Sequence, residues 1–168
     1  NATEATLNLA AATGTDLAEA AAVAGSTLGG FGLNADQTGR VTDVMAKAFS
    51  TTALDMEKFK ESMKVVAPAA FALKIPLEDT TAMLGTLAKA GVSGSMAGTS
   101  LSTAFIKLKS KGLSLKDGLD AVKNSADPLT KAVELVGINA AKSFLILANG
   151  QEDTDTFTEG LMNAGGAA

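Results

Sequence analysis

The sequence predicts an all-α fold, and three observations carry that expectation. Alanine makes up roughly a fifth of the 168 residues, and alanine is the best helix former because it loses no side-chain entropy in a helix. Apolar residues recur at helical spacing, and no segment alternates with period two. Glycine followed by an apolar residue closes several of the runs, which is the pattern of a left-handed helix stop.

The elements follow in order. Ala2 to Thr13 and Leu17 to Leu28 read as helices whose alanines give little contrast between faces, with Gly14 as a stop between them. Asn34 with Gln37 three residues on resembles a capping box opening the next helix. That helix places Val41, Val44, Met45, Ala48 and Phe49 on one face. Asp55 is the expected N-cap of a helix whose stripe is Met56, Phe59, Met63, Val66 and Ala70. Pro68 lies inside this stripe, so a kink or break is expected near Ala67.

Pro76 precedes a helix carrying Leu77, Thr81, Leu84 and Ala88. Ala97, Leu101, Ala104, Phe105 and Leu108 mark the next one. Leu115, Leu119 and Val122 mark a short helix, and Leu129, Val133 and Val136 another, opened by Asp127-Pro128. Asn139 is expected to cap a helix with Phe144, Leu145 and Leu147, and Phe157 and Leu161 belong to the last. Gly91-Val92, Gly112-Leu113 and Gly137-Ile138 read as stops with the apolar residue folded back, and Gly150 as a simpler stop. Together the runs give about nine short Ala-rich helices, in antiparallel hairpins forming a bundle or array. Two stretches, Leu33 to Leu73 and Leu77 to Leu108, echo each other without an exact repeat. The chain reads as a single helical segment over 1–168, with 1–112 and 113–168 as a candidate subdivision. It opens on Asn1 rather than Met and closes on Gly165-Gly166-Ala167-Ala168, as expected of a piece of a longer protein.

Composition removes several functions. The chain has no Cys, hence no disulfide framework, thiolate metal site or Cys nucleophile. It has no His, which removes the commonest general base, the Ser-His-Asp arrangement and most zinc chemistry. With no Trp or Tyr and a net charge of −4, it does not read as a nucleic-acid binder. No run of about 18 apolar residues is present for a membrane span.

Four stretches resemble chemical sites, and each has a plainer explanation. Gly30-Phe31-Gly32-Leu33-Asn34-Ala35 fits G-x-G-x-x-A, but dinucleotide binding needs a strand before it, and a helical stretch precedes it instead. Gly91 to Thr99 is a glycine-rich loop entering a helix, but position 98 is Gly where a phosphate loop needs Lys. It reads as a tight connection with close backbone packing. Glu152, Asp153, Asp155 and Glu159 lack the calcium-loop spacing and suit a helix start. Lys107, Lys109, Lys111 and Lys116 suit a solvated helix end. No catalytic, cofactor-binding or metal-binding residue is assigned.

The residues go further than composition. Asp43 to Ala48 reads D-V-x-A-K-A. A Ser/Thr-rich turn follows at Ser50 to Leu54, then a helix with Met-Lys and a central Pro at Met63 to Ala69. Leu87 to Gly91 reads L-A-x-A-G, and Gly94 to Leu101 reads G-S-x-A-G-T-x-L. In this order and spacing, the stretch from Leu33 to Leu108 resembles the core of phage tail tape measure proteins of the lactococcal siphophage type. Leu145 to Asn149 and Met162 to Gly165 resemble the end of that core. The motif residues carried over are Pro68, Gly91, Gly94, Ser95, Ala97, Gly98 and Thr99, in structural roles. The family usually has Gly where this chain has Ala67, Gly near Lys74 and Ser near Pro76. A left-handed backbone at Lys74 would cost about 1 kcal/mol.

The resemblance implies a structural, non-enzymatic protein of the virion, in the lumen or tip of the tail after assembly in the host cytoplasm. It implies nucleation of tail assembly, control of tail length and release during genome ejection. The implied partners are tail tip or baseplate hub and tube proteins, with further copies of the chain as a trimer about the tail axis. Contact with the host membrane during ejection is also implied, and specific nucleic-acid binding is not. The competing expectation is a membrane-active, pore-forming helical domain at the host envelope. A mean hydropathy of +0.22 leaves apolar faces for either use.

Overall fold

In the computed structural model, which describes residues 1–168, the chain forms ten α-helices, one 3₁₀ turn and no strand. The helices are α1 (Ala2–Thr13), α2 (Leu17–Gly30), α3 (Thr38–Thr51), α4 (Met56–Ala72) and α5 (Leu77–Lys89). They continue as α6 (Gly94–Ser110), α7 (Leu115–Lys123), α8 (Pro128–Val136), α9 (Ile138–Asn149) and α10 (Gln151–Met162). The 3₁₀ turn, Ala35–Gln37, leads into α3.

The starts and stops work as side-chain chemistry requires. Asp55 accepts the backbone N–H of Lys58 at 2.8 Å, satisfying one of the free donors at the start of α4. Asn34 donates its backbone N–H to the Gln37 side chain at 3.3 Å, the reciprocal half of a capping box, across the 3₁₀ turn. After α5, Gly91 turns left-handed at φ +85° and Val92 donates back to Leu87 at 2.8 Å. Gly112 and Leu113 repeat this after α6, with Leu113 donating to Leu108 at 3.0 Å.

Three local expectations are corrected. Pro68 does not break its helix: α4 runs from Met56 through Ala72. Pro68 itself is exposed, while Met63, Val66, Ala67 and Ala70 stay buried on both sides of it. Burying such side chains is worth about 1.5–3 kcal/mol each for the larger ones, enough to outweigh the ~3 kcal/mol cost of an interior proline. Asn139 does not cap α9, because the helix already begins at Ile138 with Gly137 as its N-cap. Ile138 does not fold back on α8; it is 77% exposed and opens α9.

Helix α5 is the buried axis of the molecule. Leu77 to Ala88 is buried on nearly every side, with only Asp79 partly exposed. Around α5 pack α3, α4, α6, α9 and α10. The most extensive pairing is α4 against α6, two helices separated by α5, while α8 and α9 pair as sequence neighbours. The larger hydrophobic cluster runs from Leu9 to Phe105 and gathers Leu147 and Leu161; Phe59, Phe105, Leu84 and Leu101 lie at its centre. Phe49 and Phe59 meet edge to face within it, centroids 5.6 Å apart. A smaller cluster surrounds Phe144 with Val122, Val136 and Ala140. Helices α6 and α9 place fully buried residues in both clusters, and Leu115 and Leu119 of α7 pack against both. On α6, Leu101 and Phe105 face one and Ala104 and Leu108 the other; on α9, Leu147 and Phe144 divide likewise.

Candidate functional site

The motif from Gly91 to Leu101 forms the α5–α6 connection and the first turns of α6, and its residues divide into three uses. Gly91 and Gly94 supply left-handed backbone, at φ +85° and +63°. Ala97 and Gly98 face inward and are buried. A Cβ on Gly98 would lie 2.5 Å from the carbonyl oxygen of Ser62 and 2.9 Å from its Cα. Glycine here lets α6 touch the α4 backbone, the close packing expected of this loop. Ser95, Met96 and Thr99 point outward. Ser100 beneath them donates to Ser143 at 2.8 Å, tying α6 to α9.

The other motif blocks act in the same structural way. Ala67 and Pro68 line a groove between α2 and α4, where Gly30 approaches so closely that an added Cβ would be 2.7 Å from that of Ala67. The G-x-G-x-x-A stretch therefore closes α2 against α4: Gly32 is left-handed at φ +62° and Leu33 donates to Leu28 at 2.8 Å. The element before it is a helix, so the dinucleotide geometry is not formed. The block opened by Asp43 meets the end of the chain through the Asp43 carboxylate. Lys74 is the sole non-glycine residue with positive φ, at 58°, in the turn closing α4.

Charged groups cluster in two places. Arg40 holds Glu78 through two bonds, Nε to Oε1 at 2.6 Å and Nη2 to Oε2 at 2.7 Å, with the Glu78 side chain only 7% exposed. This two-pronged pair neutralises a buried carboxylate and joins α3 to α5. Beside it, a cleft of about 230 Å³ between α5, α7 and α10 is lined by Asp79, Lys116, Leu119, Gln151 and Asp155. Burial pushes the Asp79 carboxyl above its ordinary range, and the charges of Glu78 and Asp155 push it further the same way. Sequence reading missed Asp79, because acids in a first helical turn are ordinary. Only its position in the cleft sets it apart. Lys116 is taken up by Asp120 at 2.8 Å.

Of the acidic group on α10, Asp153 pairs with Lys89 at 2.9 Å, and Glu152 and Asp153 occupy the first turn. No group of three or more His, Cys, Asp or Glu side chains could hold a metal ion. Lys107 and Lys109 occupy the last turn of α6, where cations suit the helix dipole. No helix is long and apolar enough to cross a membrane. What the arrangement does is pack: the motif positions set helix crossings and turns, as Gly98 does against Ser62 and Gly91 does after α5.

The comparisons agree in kind. A family described as phage-related minor tail protein matches residues 1–164. The chain is 34% identical to the tape measure protein of Pneumococcus phage Dp-1, over 96% of this chain and 16% of that protein. It is 32% identical to the probable tape measure protein of Escherichia phage P2, over 64% of this chain and 13% of that protein. The chain thus spans about a sixth or less of the length of these relatives. No solved structure matches it.

Proposed function

This chain belongs to the phage-related minor tail protein family, and on that premise we propose that it is a structural, non-catalytic segment of a tape measure protein. The observation that carries the reading is the match over residues 1–164 together with the use those residues find in the fold. The motif glycines stop helices or let helices touch, as Gly91 and Gly98 do.

In this role the segment resides in the phage tail, in its lumen or at its tip. It helps nucleate tail assembly, contributes to setting tail length and leaves during genome ejection. Its partners are tip or hub proteins, tube proteins and further copies of itself, arranged as a trimer about the tail axis. The folded form bears on which of these tasks falls to this stretch. A continuous helix would extend about 1.5 Å per residue. Short helices doubling back on a shared core do not reach far, so this stretch suits anchoring and nucleation better than linear measurement.

The test is an in-frame deletion of residues 1–168 from the parent gene in the phage genome, with particles examined by electron microscopy. Loss of tails, with tube and tip proteins still synthesised, is expected. Normal tails of unchanged length would overturn the role.

A further inference from the structure

Between Lys89 and Lys107 the chain carries no charged residue, yet this stretch includes most of the seventeen-residue helix α6, one side of which is exposed. A helix of a soluble domain ordinarily places charges on its solvent side. Here Met96, Thr99, Thr103 and Ile106 lie on one outward stripe at helical spacing, Met96 69% and Ile106 57% exposed. The start of α9 runs alongside. There Ile138 is 77% exposed, and a groove of about 340 Å³ between the helices is lined by Ser95, Thr99, Asn139 and Lys142. Lys142 is the only charge between Glu134 and Glu152.

We propose that this face of α6 and α9 is where copies of this chain meet, the same face of each copy turned toward a shared axis. Charge selects the occupant. Each copy carries a net charge of −4, so two copies repel through most approaches, and a nearly neutral face lets them meet without juxtaposed acids. The face also complements itself. Hydroxyls such as those of Ser95, Thr99 and Thr103 both donate and accept, so identical surfaces can satisfy each other, which a patch of one charge sign cannot do. Met96 is flexible enough to fill gaps at a self-contact. Lys142, which lines the groove, and Lys107, next to Ile106, are both exposed and long enough to carry their charges out to water.

Area sets the strength. A helix of this length is about 25 Å long, and two neighbours are roughly 20 Å wide, giving on the order of 500 Å² per copy. A trimer built this way buries about 1,500 Å² in all, or about 500 Å² at each of its three contacts, which is small for a specific interface, so association is weak and concentration-dependent in the isolated chain.

The proposal names the surface for the oligomer put forward above and rests on that oligomer existing. Its test is sedimentation of the 168-residue chain over a range of concentrations, with three variants. The chain has no cysteine, so Thr99→Cys introduces a single reporter thiol on the face, and Thr156→Cys places a matching one on the exposed side of α10. The expected results are a mass that rises with concentration, loss of that rise in Thr99→Lys with unchanged helix content, and disulfide dimers forming at least tenfold faster in Thr99→Cys than in Thr156→Cys. If the mass rises but Thr99→Lys does not alter it, the surface is wrong and the oligomer stands. If the wild-type chain stays monomeric at every concentration, both are wrong. Binding to lipid vesicles through this face without self-association would also overturn the proposal, in favour of a membrane.

Discussion

Asp43 and Gly166, 123 residues apart, are joined by a hydrogen bond of 2.9 Å from the Gly166 backbone N–H to the Asp43 carboxylate. The second oxygen of the same carboxylate accepts the N–H of Ala168, also at 2.9 Å. One aspartate on α3 thus satisfies two donors of a segment that has no helix of its own. Ala164 is buried just before it, and Ala167 lines a groove with Ala46, Phe49 and Met56. A charged acceptor makes the stronger kind of hydrogen bond.

Asp43→Ala removes both acceptors and nothing from the core. Terminal segments that lose their anchor fray before the rest of the fold opens. Amide exchange at Gly166 and Ala168 is expected to accelerate at least tenfold, while global unfolding by urea shifts by less than about 1 kcal/mol. A loss of global stability of several kcal/mol, or unchanged exchange, would contradict this assignment.

Gly98→Ala is expected to destabilise the chain by about 1–3 kcal/mol, because the new methyl meets the Ser62 backbone and forces α6 away from α4. The intrinsic gain of alanine over glycine in a helix, about 1 kcal/mol, is too small to compensate. Gly160→Ala on α10 has open space around the new Cβ and is the control; it is expected to gain up to about 1 kcal/mol. Urea unfolding of both variants reads the difference in sign.

Lys74→Gly is expected to stabilise by about 1 kcal/mol, since Lys74 sits at φ 58° where a side chain is penalised and glycine is not. The turn itself is fixed by Ile75 donating to Ala70 at 2.8 Å, so the substitution leaves its geometry in place. Thermal or urea unfolding checks it.

Asp79 gives the pH dependence. Its carboxyl is raised above the ordinary aspartate value, mainly by burial. The folded state therefore holds the proton more tightly than the unfolded state. The resulting contribution to stability is fully present below the ordinary value and is lost as pH rises through the folded-state value. Asp79→Asn removes this dependence. The stability of the wild type relative to Asp79→Asn is expected to fall as pH rises above the ordinary aspartate range, measured by urea unfolding at a series of pH values. A flat difference would place Asp79 in a more solvated setting than the cleft.

Local signals were legible and distant pairings were not. Ala2–Thr13, the Asp55 cap and the Gly91 and Gly112 stops each depend on a few adjacent residues, so sequence spacing specifies them. The turn at Lys74 was in doubt from the residues alone, because a lysine does not announce a left-handed backbone, yet it forms at φ 58°. The all-round burial of α5 was hidden because Thr80, Thr81, Thr86 and Gly85 carry little hydrophobic contrast yet pack well inside. The run through Pro68 depends on the buried residues either side of it, whose worth only the packing reveals. The glycine at position 98 was visible, but its contact, the backbone of Ser62, was not. Asp43 was visible as part of a motif, while its partners lie at the other end of the chain.

The central claim is that this chain is a folded segment of a tape measure protein within the tail. Cryo-electron microscopy of the intact parent particle tests it most directly. The expected result is helical density on the tail axis, enclosed by tip or tube proteins, into which the ten helices can be placed. Purified, infective particles that lack the protein altogether would contradict it.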